Sequence, residues 1–447
     1  MDNIIYPTVD LFLYDLGEGL GQPTTNITSN RRRFCQKIYP DLEKTDAKAF
    51  LDKLEEAEKS DKDFLPLGGI ALASDLDGYY YPLLLRDTYA LHVDFSGSKT
   101  NKEDEPQPIK NLADLKQIIL SKIDPQPDAG KWRGTIGETW LIWGQLTDAQ
   151  QNSKQVAEEC YKQLAPKAEG IISKANQLLG GTLYEFNQHS SSQETSHILV
   201  WLFPPGEDLK LLKTKVSEVY FDFIRLFCYR NKINWAYRES RQIKEDLKDK
   251  YRLGRESIIN FTKQTNSHSY SLDTLRENLT DNLDAISNYT DSLIRLNAQS
   301  VTIKVNLDNY RKRLKMLAKK DDNNLLKSLA EFRNYALEKY LSQIESDSAN
   351  LTPGLTLLEN LIRTIQGIID IEQTKSDRAL NYTIAIASFG LGLSGVTATI
   401  ISTQLASPKD PPEKINPISQ SYAFGWSIAP LAIAAIIWGV RRFLRPR

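Results

Sequence analysis

One stretch of the chain constrains its fold more than any other: residues 255–352 form a run of 98 residues without glycine or proline. Because those two residue types are the strongest helix breakers, such a run favours long helices. Within it, apolar or aromatic side chains fill twelve of fourteen positions that alternate by three and four residues. This heptad spacing predicts a coiled-coil-like helix of about 46 residues, roughly 69 Å long. The fourteen positions are Leu272, Leu275, Leu279, Asn282, Ile286, Tyr289, Leu293, Leu296, Ser300, Ile303, Leu307, Tyr310, Leu314 and Leu317.

Further helices are predicted on either side of this seam. Residues 321–324 read Asp-Asp-Asn-Asn and predict a break before a helix at 325–344, because such residues cap helices. Thr-Pro-Gly at 352–354 predicts a second interruption, followed by one helix from about residue 356 to about residue 405. An amphipathic helix with an apolar face from Leu209 to Ile233 is predicted to join the same bundle. These seams serve either packing within the chain or assembly between subunits, and both interpretations stay open.

Residues 1–205 have a different pattern, in which β-branched and aromatic runs alternate with helical stretches. Strands are predicted at 8–16, 68–73, 79–85, 90–95, 135–145, 182–187 and 197–203. Helices are predicted at 26–38, 47–59, 112–123, 149–163 and 167–179. The alternation predicts an α/β or α+β domain with a mixed sheet.

Local motifs in this region each have a functional and a structural interpretation. The glycine-rich sequence GEGLG at 17–21 follows a predicted strand, but it lacks the Lys-Ser/Thr of a phosphate loop, so a flexible strand exit is favoured. His189 and His197 flank a polar turn, yet two histidines are weak evidence for a metal site, and the metal ligands stay unknown. Arg-Arg-Arg at 31–33 would either bind an anion or form a solvated helix face, and the solvated face is favoured. Since no catalytic constellation can be assembled, we do not expect an enzyme.

The composition changes abruptly after Arg378. Residues 379–408 carry no charge, and a helix over 382–405 is long enough for the roughly 30 Å hydrocarbon layer of a bilayer. A second uncharged stretch predicts another span at 422–440. Basic residues are concentrated before the first span and after the second, so the positive-inside rule predicts both termini in the cytoplasm. The alternative is a buried helical hairpin of a soluble domain.

Charge and cysteine content exclude several classes of protein. The chain has 56 basic and 57 acidic residues, a net charge of −1, which argues against nucleic-acid binding through bulk positive charge. Six basic and two acidic residues at 379–447 give +4, so residues 1–378 carry −5. Three cysteines without a CxxC pair exclude a disulfide scaffold and a zinc ribbon, and suit a reducing compartment. The first 22 residues lack a basic region, so no signal peptide is predicted.

The first predicted span has a stripe of small or polar residues beside an apolar row. Because lipid-facing positions gain nothing from hydroxyl or amide side chains, the stripe is expected to face protein or water. It either lines a pore made by several copies of the helix or packs against a neighbouring helix. The pore-lining candidates are Asn381, Ser388, Gly392, Gly395, Thr399 and Ser402.

The order of segments, with a body at 1–205, a stalk at 206–378 and a hairpin at 379–447, resembles the CorA-like magnesium transporters. The family's Gly-Met-Asn signature is absent, since the corresponding residues 402–408 read Ser-Thr-Gln-Leu-Ala-Ser-Pro. No ion-binding residue is therefore carried over. The resemblance implies an α+β membrane protein of the inner membrane. It would have an N-terminal cytoplasmic α/β domain, a helical, coiled-coil-like stalk and a C-terminal two-helix transmembrane hairpin.

The same resemblance implies an oligomeric ion channel or transporter, pentameric in the family and gated through its cytoplasmic domain. A divalent cation such as Mg²⁺ is the implied cofactor or cargo. The implied partners are the lipid bilayer, sister subunits and a small-molecule or ion ligand of the cytoplasmic domain, without nucleic acid. Two alternatives stay open: a membrane effector of antiviral defence that a small ligand triggers, and a membrane-anchored coiled-coil scaffold.

Overall fold

A computed structural model describes residues 3–71, 76–97, 104–124, 133–166, 170–188, 197–266, 271–321 and 326–374 of the chain. The chain divides into two compact units. Of the described residues, the first unit combines those up to 248 with those of 292–351, and the second combines those of 249–291 with residues 352–374.

The first unit contains a mixed β-sheet. Its described strands are β1 (Asn3–Leu16), β2 (Leu65–Pro66), β3 (Ile70–Ala71), β4 (Asp77–Leu85), β5 (Thr88–Ser96), β6 (Pro106–Pro108), β7 (Gly137–Leu146), β8 (Gly170–Leu178), β9 (Gly181–Gln188) and β10 (His197–Phe203). The strand order is β2-β4-β5-β1-β7-β10-β9-β8, with β3 paired to β4 and β6 paired to β1. Only the β7–β10 pair is parallel among the described pairs.

The described helices are α1 (Thr24–Gln36), α2 (Thr45–Glu58), α3 (Asn111–Ile123), α4 (Ser153–Leu164), α5 (Leu209–Asn266), α6 (Leu272–Lys320), α7 (Lys327–Tyr335) and α8 (Ser342–Thr374). A π-helical turn, Ala336–Leu341, joins α7 to α8.

Alternate side chains of the strands form two hydrophobic cores in the first unit, one on each face of the sheet. On one face, helices α1 to α4 cover residues such as Leu11 and Leu13 of β1. On the other face, α5, α6 and α7 cover Phe12 and Tyr14 of the same strand. Burial of one such leucine or phenylalanine contributes about 1.5–3 kcal/mol. Strand β1 is central and covered on both faces, so a charged side chain within it is unusual.

Most predicted strands and helices of residues 1–205 are confirmed, with ends that differ by a few residues. The helix predicted at 167–179 is wrong, because the chain forms strand β8 there and pairs with β9. Leu179 and Gly180 both adopt positive φ, 49° and 85°, in the tight turn between the two strands. Hairpin pairing therefore outweighs the local helical pattern. The apolar face of α5 lies on the sheet as well as on α6 and α7.

The long heptad seam is confirmed. Helix α6 spans Leu272–Lys320, and thirteen of the fourteen seam positions are buried, Leu272 being the exception. The interruption predicted at 352–354 is wrong, because Pro353 lies inside helix α8. In the second unit, Gly354 lies directly against Tyr289 and Tyr251, so this glycine permits close helix packing there.

The membrane part of the predicted fold class is corrected. No helix among the described residues is both long and apolar enough to cross a membrane. Their long helices carry charged residues along their length and bury apolar seams on one side. The described structure is an α+β fold with a mixed sheet, and it contradicts the predicted α+β membrane protein with a transmembrane hairpin in the inner membrane. The predicted spans at 382–405 and 422–440 lie outside the described residues.

Candidate functional site

Two acid–histidine pairs lie on the face of the sheet that helix α5 covers. Residues directly opposite each other form one row across five strands: Asp94, Asp10, Leu141, Leu199 and Glu185. The adjacent row contains His92, Phe12, Thr139 and His197. Because neighbouring rows are two residues apart along each strand, each histidine lies diagonal to an acid. The register thus places one acid–histidine pair on each side of a central apolar patch.

The first pair joins Asp10 to His92. Their Oδ1 and Nε2 atoms are 2.8 Å apart, and both side chains are buried. Burial raises the pKa of Asp10, against the opposing effects of His92 and of the Tyr220 hydroxyl. Tyr220 is held from the other side, since the indole N–H of Trp143 donates to its hydroxyl at 3.0 Å. The pair is therefore fixed between the sheet and α5.

Asp94 lies directly across from Asp10 on strand β5. It is half-buried, whereas Asp10 is completely buried. Burial raises the pKa of Asp94 to about 7, with the charges of Asp10 and Asp77 acting in the same direction and His92 opposing them. A carboxyl group that titrates near neutral pH and is partly open to solvent is a recognised mark of functional sites.

The second pair joins Glu185 to His197 and includes an arginine from α5. Arg230 lies 3.0 Å from Oε1 of Glu185, and His197 Nε2 lies 3.3 Å from the same oxygen. Burial alone would raise the pKa of Glu185, but the Arg230 charge and the His197 hydrogen bond lower it to about 2. Burial and the Arg230 charge lower the pKa of His197 to about 4. At neutral pH the group thus contains one negative charge, one positive charge and a neutral imidazole.

Hydrogen bonds around this pair fix the imidazole ring. Nδ1 of His197 lies 3.2 Å from the hydroxyl of Thr139, and the Asn231 amide donates to that hydroxyl at 3.0 Å. The Thr139 proton is then available to Nδ1, which leaves the ring proton on Nε2, facing Glu185. The guanidinium carbon of Arg230 lies 4.0 Å from the centre of the Phe332 ring. These contacts give the second pair a structural role.

A cavity of about 270 Å³ opens beside the end of strand β1. Its walls come from the strand exit at Gly17 and Glu18, the end of α2 with the loop after it, and the turn between β4 and β5. The acidic residues Glu18, Glu58, Asp61 and Asp87 outnumber the basic residues Lys62 and Arg86. The cavity therefore favours a small ligand with a positive charge.

The cavity wall is connected to helix α5 by an ion pair. Asp87 in the β4–β5 turn lies 2.5 Å from Nζ of Lys232 on α5. The Lys232 side chain is 13% exposed, whereas that of Asp87 is 51% exposed and faces the opening. Nearby, the guanidinium of Arg225 on α5 lies 3.9 Å from the Phe64 ring, next to the same turn. A change in the charge or position of Asp87 therefore acts directly on α5 through Lys232.

Backbone strain is present in the cavity wall. Arg86 adopts a φ of 55° in the two-residue β4–β5 turn, a conformation that favours glycine or asparagine. We expect Arg86→Asn to raise the melting temperature by a few degrees, because asparagine tolerates this conformation at lower cost. Thermal unfolding followed by circular dichroism measures the change. Asp63→Asn, which removes only the exposed partner of Arg86, should leave the melting temperature unchanged. A lower melting temperature for Arg86→Asn would show that the backbone conformation of Arg86 does not destabilise the protein.

The structure places the sequence motifs as follows. Gly17 and Glu18 of the glycine-rich motif line the cavity. Arg31 pairs with Glu55 and Glu58 of α2, so the Arg-Arg-Arg run contributes to helix packing. His197 contacts Glu185, while His189 lies outside the described residues. Within the described ranges, no three His, Cys, Asp or Glu side chains are placed to hold a metal ion.

The six pore-lining candidates also lie outside the described residues: Asn381, Ser388, Gly392, Gly395, Thr399 and Ser402. Sequence reasoning missed Asp10, Asp94 and Glu185. Their signal was present, because a charged residue inside an apolar strand of a buried sheet requires a partner.

No protein-family model, no curated protein and no solved structure matches this chain. The resemblance to CorA-like transporters is therefore untested. The same holds for the expected lack of enzymatic activity, the oligomeric state, the Mg²⁺ cargo, and the channel function with its effector and scaffold alternatives. These stay predictions.

Proposed function

We propose that the first unit is a sensor of a small amine, which binds in the cavity beside β1 and acts on helix α5. The observation that carries this proposal is the ion pair between Asp87 in the cavity wall and Lys232 on α5. An amine that binds at Asp87 competes with the Lys232 ammonium for the same carboxylate. Ligand binding and the packing of α5 are then linked through one shared acid.

The charge of the cavity supports a cationic ligand. Glu58 is already paired with Arg31, and its carboxylate also accepts a hydrogen bond from Tyr89. Among the described residues, Glu18 and Asp61 have no ion-pair partner, so the wall of the cavity retains negative charge. Carboxylates that are not already paired are the natural partners of an ammonium or guanidinium group.

The loss of the Lys232 partner has a consequence for α5. The Lys232 side chain is mostly buried, so an ammonium without its carboxylate carries a desolvation cost. The helix can relieve this cost by exposing Lys232 to water. Ligand binding should therefore increase amide hydrogen exchange in α5 around residue 232.

Calorimetric titration with putrescine tests the binding step. We expect putrescine to bind, while its neutral isostere 1,4-butanediol and inorganic phosphate do not. Asp87→Asn should weaken binding about 10–100-fold, because a charge-assisted hydrogen bond is lost. Lys232→Met should strengthen binding by up to about fivefold, because the competitor is removed.

Asp63→Asn is the matched control, since Asp63 pairs with Arg86 but does not line the cavity. It should leave the affinity for putrescine unchanged. Hydrogen exchange then tests the response: putrescine should increase exchange around residue 232 in the wild type and not in Lys232→Met. Equal binding of putrescine and butanediol, or no binding of either, would refute the proposed function.

A further inference from the structure

Four side chains form the Asp94 cluster: Asp10, His92, Asp94 and Tyr220. It lies on the sheet face beneath α5 and includes no cavity residue. Asp10 and Asp94 are direct partners in the β1–β5 ladder, so their Cβ atoms are about 4.5–5.5 Å apart. Two carboxylates at this separation resist simultaneous ionisation.

The cluster contains two acids and one acid-bound histidine. His92 bonds to Asp10, while Asp94 forms no ion pair among the described residues. On β4, the directly opposite residue is Tyr79, and Asp77 lies one row away, which adds another acid. From α5, Tyr220 faces the acids, and the ammonium of Lys213 lies 4.0 Å from the centre of the Tyr6 ring. The surroundings therefore favour a neutral Asp94.

We propose that the Asp94 cluster holds one proton at and below neutral pH, and that release of this proton loosens the part of α5 that carries Tyr220. The half-buried position of Asp94 gives the proton a route to solvent, which fully buried Asp10 lacks. After release, two adjacent carboxylates lie beneath the helix, and the single histidine, His92, contacts only one of them, Asp10. Admission of water beside Tyr220 relieves their repulsion, and this requires the helix to move away from the sheet.

Tyr220 cannot relieve the repulsion by changing its own charge. Burial and the neighbouring acids raise its pKa well above the ordinary value, so its hydroxyl stays neutral. Trp143 holds the hydroxyl from the other side by donating to it at 3.0 Å. Proton release from the Asp94 cluster therefore acts on α5 through the contact between Tyr220 and the sheet.

The sign of the pH effect follows from the pKa of Asp94, which burial raises from 3.8 in the unfolded chain to about 7. Between these values the folded protein holds a proton that the unfolded chain has released. The stabilisation is complete below about pH 4 and is lost as the pH rises through 7. The ratio of the wild-type and Asp94→Asn unfolding constants should therefore rise about a hundredfold between pH 5 and pH 8.

Urea unfolding of the full chain, in the wild type and in Asp94→Asn, measures this ratio across the pH range. The comparison cancels titrating groups outside the Asp94 cluster, including His197. Asp77→Asn is the matched control, because it removes an exposed acid from the same face one row away. Because the charge of Asp77 helps to raise the pKa of Asp94, the unfolding constant of this control, relative to that of Asp94→Asn, should keep the rise between pH 5 and pH 8, with the midpoint moved slightly to lower pH.

Hydrogen exchange at pH 6 and pH 8, corrected for the intrinsic pH effect, tests the response of the helix. Residues 213–224 should exchange faster at pH 8 in the wild type and equally at both values in Asp94→Asn. If that variant does not fold, Asp94→Ser replaces it. A ratio that stays constant with pH, or equal wild-type exchange at pH 6 and pH 8, overturns the proposal.

Discussion

Replacing Arg230 by methionine is expected to destabilise the protein by about 3–5 kcal/mol. Arg230 is buried and forms an ion pair with buried Glu185, which belongs to the second acid–histidine pair. Methionine restores much of the volume but leaves the carboxylate of Glu185 without its positive partner. An uncompensated charge in this environment costs far more than the packing of the arginine stem contributes.

The double variant Glu185→Gln/Arg230→Met separates charge from packing. It removes both charges, so it should recover most of the loss seen in the single variant. Arg311→Met is the control, because Arg311 pairs with Asp308 on the exposed surface of α6 and should change stability little. Chemical denaturation measures all three. A loss below about 1 kcal/mol for Arg230→Met would show that Glu185 is not desolvated in the folded protein.

Replacing Gly354 by leucine is expected to cost about 3 kcal/mol through overpacking in the second unit. A Cβ atom at Gly354 would lie 2.9 Å from Cζ of Tyr289 and 2.8 Å from Cδ2 of Tyr251. Tyr289 is completely buried. Leucine is the better helix former by roughly 1 kcal/mol, but this gain is smaller than the cost of the overlap.

Gly367 provides the matched control in the same helix. A Cβ atom there meets nothing within 4 Å, and the residue is exposed. Gly367→Leu should therefore stabilise the protein by about 1 kcal/mol, the difference in helix propensity alone. Thermal or urea unfolding compares the two variants directly. If both glycines respond alike, the close packing at Gly354 does not exist.

Periodicity predicted the regular elements well, because one physical signal dominates them. The α6 seam repeats over fourteen positions, so a few polar residues such as Asn282 and Ser300 do not obscure it. The helix predicted at 167–179 is wrong for the opposite reason. The local pattern of these residues is compatible with a helix, and the pairing partner that makes them a strand lies in β9, beyond the reach of a local window.

The interruption predicted at Pro353 failed because tertiary packing outweighed a local rule. The membrane assignment rested on 379–447, and no helix of the described chain supports it. Asp10 and Glu185 were missed, although each is a charged residue inside an apolar strand. Their histidine partners depend on strand register, which a single sequence does not reveal.

The π-helical turn between α7 and α8 changes the spacing of buried residues along this helical segment. Leu329 and Ala336 are buried seven residues apart, whereas the next buried apolar residue, Leu341, follows after five. In an α-helix a step of five rotates a side chain about 140° away from its starting face. The π turn absorbs this excess, so Leu341 and Ile344 continue the buried side that Ala336 began. The π turn therefore accommodates one extra residue without rotating the buried side of the helix. Deletion of one residue in the turn would leave a regular α-helix with the same side chains buried.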